Sequence, residues 1–212
     1  MKRRPFTLAC AATLLTPTAF AQGPLKLTAG KDYVKLDRPI ATETEAGKIE
    51  VLEFFWYSCP HCNAFEPTLN AWIKAAPKDL AVRRVPVAFR DDFVPQQRLY
   101  YALEAMGLLD KLHGQVFAAI HVEKQKLARG DEIGEWVGKH GVDKVKFMEQ
   151  YNSFSVSTKA TRGAQLQNAY RVEGVPALGV AGRFYTDGSL ARSMERALQV
   201  AEFRAGEVRS GR

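Results

Sequence analysis

Two cysteines stand two residues apart at Cys59-Pro60-His61-Cys62, and the only other cysteine in the chain is Cys10. The stretch that leads to the pair, Ile49 to Cys62, reads IEVLEFFWYSCPHC. Its apolar, β-branched and aromatic run, closed by a Ser-Cys-Pro breaker, predicts a buried strand. Helical sequence follows from Asn63-Ala64-Phe65-Glu66. Cys59 is therefore expected at a helix N-cap, with Pro60 at the first helical position, where its missing N–H leaves nothing unsatisfied. Free amides of the first turn then point at the Cys59 sulfur, and the helix dipole favours negative charge there. Such a setting stabilises the thiolate and lowers its pKa. His61 adds a donor or partial cation beside the same sulfur. A stabilised thiolate stabilises the dithiol form, which makes the disulfide a strong oxidant. Cys62, one turn further in, is expected to be shielded and to act as the resolving thiol.

Glu53 is the second residue with chemical potential. It lies mid-strand between Leu52 and Phe54, six residues before Cys59. A carboxylate in a buried strand is expensive unless paired or protonated. It reads either as a proton acceptor or electrostatic tuner beneath the cysteines, or as a salt-bridge partner for Arg84 on a neighbouring strand. Glu66, one turn beyond Cys62, reads as helix surface or as a second tuning acid. Val175-Pro176 opens a later strand after Gly174; X-Pro bonds are mostly trans.

Other readings of the pair are weaker. Structural zinc wants four ligands, and no second cysteine pair exists. His113, His121 and His140 fall at unhelpful spacings and are given no role. A disulfide closing a two-residue gap removes little chain entropy, so it is a poor staple. Its purpose is chemical.

The elements that must position these residues follow in order. Met1-Lys2-Arg3-Arg4, the apolar run Phe6–Leu15 and Ala19-Phe20-Ala21 read as an export signal over residues 1–21, with Gln22 the expected new N-terminus. Cys10 lies within that signal. Cleavage takes away three basic residues and no acidic one, lowering the formal charge from +7 to +4. The remaining charge is interspersed, which argues against nucleic-acid binding. Short strands are predicted at residues 33–36 and 81–87, the central strand at 49–57, and a helix at 60–76 that Pro67 is expected to kink by removing a donor. From Pro95 to Tyr151 only helical spacing appears, including helices at 131–140 and 143–151 opened by acidic caps. A long helix at 154–172, a hairpin across Ala181-Gly182, and a closing helix at 190–208 complete the chain.

On these residues the chain resembles the DsbA thiol:disulfide oxidoreductases of the bacterial periplasm, members of the thioredoxin superfamily. The resemblance runs from the export signal nearly to the C-terminus. Its most specific parts are VLEFFWYSCPHCNAFEP (51–67), the helical insertion, and GVPALGVAGRFY (174–185). It implies an α/β, thioredoxin-like fold with a central mixed β-sheet and an inserted all-helical domain. Residues 22–92 and 156–212 would form the thioredoxin-like domain, and 93–155 the insertion. The implied activity is dithiol oxidation: a substrate thiolate attacks Cys59, forming a mixed disulfide, and a second substrate thiol displaces Cys59. Pro176 would be a cis-proline packed on the disulfide, with Val175 backbone groups pairing to an extended substrate peptide. Glu53, Glu66 and Arg84 would be a buried acid, a second acid and a basic partner for pKa tuning or proton transfer.

The implied partners are reduced secreted or outer-membrane proteins and a DsbB-like, quinone-linked membrane oxidase. The resemblance implies a monomer with no bound cofactor or metal. Two departures stand out. Trp56-Tyr57-Ser58 is a less aromatic approach to the cysteines than in the best-known members. Arg84 stands where a lysine is usual, and an arginine pairs with an acid but hardly relays a proton. The rival readings are a disulfide isomerase or reductase and a Cys/His metal-binding module. An isomerase would need a dimerisation segment that the sequence before Ile49 is too short to supply.

Overall fold

The computed structural model describes residues 26–211. The expected export signal at 1–21, with Cys10, lies outside the described residues. The molecule is built on a five-stranded sheet of order β1-β5-β4-β2-β3. Its members are β1 (Val34–Lys35), β2 (Ile49–Phe55), β3 (Leu80–Pro86), β4 (Ala177–Val180) and β5 (Phe184–Asp187). β2 runs parallel to β3 and antiparallel to β4, so the sheet is mixed. Every residue of β2 is buried. That explains its continuous apolar run in place of an alternating one, because both faces of a central strand are covered.

Alternation still decides which core each residue enters. Leu52 and Phe54 point to one face, with Leu166 and Tyr170. Ile49, on the other, joins Phe65 and Leu69 of α1 (Pro60–Ala75) and Leu198 of α8 (Met194–Arg209). Glu53 shares the parity of Ile49 and so belongs to the face covered by α1. α1 runs unbroken through Pro67.

Between β3 and β4 the described chain is helical. A 3-10 turn at Asp91–Phe93 leads into α2 (Val94–Ala105), α3 (Leu109–His121), α4 (Gly130–Lys139) and α5 (Lys144–Tyr151). α6 (Phe154–Ala169) then packs on both α2 and β3. Gly107, at φ 67°, ends α2 with the left-handed residue that helix C-termini favour. The apolar core of these helices is shared with Phe55, Tyr57, Cys59 and Cys62. The cysteine turn therefore packs into the inserted helices as well as standing on the sheet.

Two local expectations change. α4 starts at Gly130 with Arg129 at its N-cap and no side-chain bond to the first turn. Asp131, expected to cap it, pairs with Arg129 instead. Asp143 does cap α5, accepting from the Lys146 amide at 3.1 Å. The closing helix is two helices: Asp187 ends β5 and caps the short α7 (Gly188–Ala191), Arg192 turns left-handed at φ 72°, and Ser193 caps α8. The β4–β5 hairpin turns through Ala181 and Gly182, both at positive φ, closed by Arg183 N–H donating to the Val180 carbonyl. This is the primed turn that matches strand twist. Only glycine fits at 182, where a Cβ would lie 1.9 Å from the Ile40 carbonyl oxygen.

Candidate active site

Cys59 is the N-cap of α1, and the Cys62 amide donates to its sulfur at 3.4 Å. Both cysteines are thiols here, Cys59 7% exposed and Cys62 fully buried. The Cys59 thiol is held down to about 6. The largest cause is the hydrogen bond from the Cys62 thiol, which outweighs burial. The Cys62 and His61 amides come next, and the His61 charge is the smallest contribution. Helix geometry and the second cysteine thus do more than the histidine side chain. Burial acts in the opposite sense on Cys62, pushing its thiol far up, and a charge on Glu53 pushes it further. One sulfur is made for nucleophilic attack and departure, and the other keeps its proton until something takes it.

A distant segment completes the turn. The Val175–Pro176 peptide is cis, and the Cys59 thiol donates to the Val175 carbonyl at 3.3 Å. His61 is exposed and lines, with Val175, Pro176 and Met194, an open cavity of about 370 Å³ beside the cysteines.

Beneath the turn lies an acid cluster. Glu53 pairs in register with Arg84 on β3, and Arg84 Nε lies 2.9 Å from Glu53 Oε2. The contact is close but poorly directed, since neither Glu53 oxygen accepts an aligned side-chain hydrogen bond. Burial therefore dominates, and the Glu53 carboxyl is pushed up to about 8, with Arg84 opposing and Glu66 reinforcing. At neutral pH Glu53 holds its proton. Arg84 is the partner that the salt-bridge reading of Glu53 expects.

Glu66 is buried, not helix surface. Arg84 Nη2 donates to its two oxygens at 3.2 and 3.3 Å, and Asn70 donates at 3.0 Å. Burial alone would raise its pKa; the hydrogen bond of His113 and the charge of Arg84 reverse this and hold Glu66 as an anion.

The inserted helices contribute residues that had been given no role. His113 Nδ1 lies 2.8 Å from the Tyr57 hydroxyl, and its Nε2 lies 3.2 Å from Glu66 Oε1. His121 Nε2 donates to the Tyr57 carbonyl at 2.8 Å. Gln96, buried on α2, accepts from the Ser58 amide at 3.2 Å and donates to the Ser58 hydroxyl at 2.7 Å and the Lys126 carbonyl at 3.2 Å. Ser58 is thus engaged by α2, and Trp56 stacks on Phe93 with centroids 3.9 Å apart. A signal for the histidines was available: His113, Phe117 and His121 recur at i, i+4 and i+8, on the apolar stripe of α3. His140 only bonds the Trp136 carbonyl in its own helix. Among the described residues, no group of three or more His, Cys, Asp or Glu is placed to hold a metal, and no helix is long and apolar enough to cross a membrane.

The chain is similar to members of one family in sequence and in fold. Residues 85–199 match the model of the DSBA-like thioredoxin domain. The thiol:disulfide interchange protein DsbA of Burkholderia cepacia is 40% identical, over 93% of this chain and 95% of that protein. The protein of the same name from Bordetella parapertussis is 44% identical, over 85% and 83%. The crystal structure of Pseudomonas aeruginosa DsbA superposes with a TM-score of 0.83 at 39% identity, covering 87% of this chain and 96% of that one.

Proposed function

The chain belongs to the DsbA family of thiol:disulfide oxidoreductases, and from that premise we propose that it is a periplasmic dithiol oxidase acting on newly exported proteins. The observation that carries this reading is the asymmetry of the pair. Cys59 ionises near pH 6 at a helix N-cap, while the Cys62 thiol is buried and held protonated.

In the proposed cycle a substrate thiolate attacks the Cys59 sulfur of the disulfide. The Cys59–Cys62 bond breaks, and its electron pair leaves on Cys62, which takes up a proton. A second thiolate of the substrate attacks its own sulfur in the mixed disulfide and expels Cys59. Cys59 is the better leaving group because its thiolate is stable at the operating pH. The substrate gains a disulfide, and the protein leaves as a dithiol. A quinone-linked membrane partner of the DsbB kind reverses these steps and restores the disulfide. The Val175 backbone beside Cys59 suits pairing with an extended peptide, and the cavity between His61 and Met194 offers room for the adjoining side chains.

Equilibration of the purified protein with glutathione tests this. An oxidase has a potential well above the roughly −270 mV of a reducing thioredoxin; a value near that figure would contradict the proposal. Cys62→Ala should accumulate mixed disulfides with exported proteins through Cys59, and failure to trap them would overturn the assigned order of attack.

A further inference from the structure

Among the described residues, the inserted domain's hydrogen bond to the acid cluster under the cysteines is made by His113. Its ring is wedged between Phe55, Tyr57, Tyr100 and Phe117. The charged and titratable groups facing it are Tyr57 from the cysteine turn, Glu66 from α1, Arg84 from β3 and Tyr100 from α2.

The direction of each bond in this chain is determined. Burial keeps the imidazole neutral, so one nitrogen donates and the other accepts. Glu66 is an anion and can only accept, so Nε2 carries the proton. Nδ1 must then accept from Tyr57, whose phenol stays protonated because burial raises its pKa. The sequence of bonds runs from the Tyr57 hydroxyl to His113, from His113 to Glu66, and from Arg84 to the same carboxylate. Arg84 continues to Glu53.

We propose that His113 is a positioning residue for the proposed reaction: from the inserted domain it holds Glu66 ionised, and the Glu66 charge keeps a proton on Glu53 ready for Cys62. The inference rests on the dithiol-oxidase reading. When the Cys59–Cys62 bond is broken by a substrate thiolate, the electron pair on Cys62 takes the Glu53 proton, leaving a Glu53 carboxylate. Glu53 then recovers a proton from water, and on reoxidation by a disulfide partner its ionised fraction accepts the Cys62 proton as Cys62 attacks the mixed disulfide at Cys59. Arg84 stays charged throughout and cannot supply that proton. The Glu66 anion acts by raising the proton affinity of Glu53.

The experiment follows the Glu53 carboxyl by carbon NMR of selectively labelled reduced protein, with Glu53→Gln identifying its signal. His113→Leu removes the donor to Glu66 and should lower the Glu53 midpoint by about one pH unit, the size of losing one close charge. His113→Gln can still accept from Tyr57 and donate to Glu66, and should restore the wild-type midpoint. The pH profile of single-turnover oxidation of a dithiol peptide should move with the midpoint in both variants. Glu66→Gln should give the same shift as His113→Leu, and the double variant no more. If leucine is not tolerated, His113→Asn, too short to reach both partners, makes the same comparison.

An unchanged Glu53 midpoint in His113→Leu or His113→Asn would overturn the inference, as would failure of glutamine to restore it. These outcomes are separate from failure of the oxidase reading. That would appear as a reducing potential in the wild-type protein, whatever the His113 variants do.

Discussion

The two flanks of the cysteine turn are built from different materials. On the sheet side, Cys59 meets the Val175 carbonyl, and Glu53 and Arg84 sit directly below on paired strands. These groups place a hydrogen-bond acceptor and charge beside the reacting sulfurs. On the helical side, Gln96, His113 and His121 grip Ser58 and Tyr57 by hydrogen bonds, without touching either sulfur. The sheet side thus sets the chemistry, and the helical side sets where the turn stands. His113 is the exception, because its bond to Glu66 crosses from one flank to the other.

This contrast can be broken by substitution. The largest effect belongs to the sheet side: Cys59→Ala should abolish oxidation of a dithiol peptide, and residual turnover through Cys62 alone would dissolve the asymmetry. Glu53→Gln comes next. It should slow the step in which Cys62 attacks by about a hundredfold at neutral pH, the usual worth of a positioned acid or base, as read by stopped-flow reoxidation. A rate within a factor of two of wild type would confine Glu53 to electrostatics.

Stability against pH separates Glu53 from Cys59 by sign. Glu53 has a folded pKa of about 8, raised from 4.5. Its contribution is complete below pH 4.5 and is lost as pH rises through 8, since the native state holds a proton that the unfolded chain releases. Cys59 has a folded pKa of about 6, lowered from 9.0. Its contribution is complete above pH 9 and disappears as pH falls through 6. Urea unfolding of the oxidised protein, in which Cys59 no longer titrates, should show stability falling between pH 5 and pH 8, and Glu53→Gln should remove that slope. The difference in stability between reduced and oxidised protein should grow with pH from about 6 to about 9. A difference that shrinks over that window would contradict the ionisation of Cys59.

On the helical side, Gln96→Ala should cost about 1 kcal/mol through lost bonds to Ser58 and Lys126 and leave the redox potential in place. A large change in potential would show that the grip on the turn is also part of the chemistry. The smallest effect is expected for His61→Ser. It should raise the Cys59 pKa by less than about one unit, because the first-turn amides that favour the thiolate remain.

The same contrast explains what could be read from the amino-acid sequence. Cys59 and Cys62 carry their geometry locally, since a strand, a proline and a helix start fix an N-cap within a few residues. Glu53 was visible as a carboxyl inside an apolar run, and Arg84 as the basic residue of the next strand. Glu66 was ambiguous because its burial comes from Arg84, His113 and the inserted helices, all remote in sequence. Gln96 and His121 could not be assigned for the same reason: their partners lie 38 and 64 residues away, and helical spacing reports a face but not what covers it. The break in the closing helix at Arg192 has no mark in the sequence, because the left-handed turn there is made by an arginine and not by a glycine.

The central claim is that the N-cap turn makes Cys59 a thiolate at neutral pH, with Cys62 as its strongest partner. Ultraviolet titration of thiolate absorbance in the reduced protein tests it most directly, with Cys62→Ala alongside. The wild-type midpoint should fall at about 6 and rise in Cys62→Ala, while staying below the 9.0 of a free thiol because the helix amides remain. A wild-type midpoint near 9.0, or one unmoved by Cys62→Ala, would contradict the account.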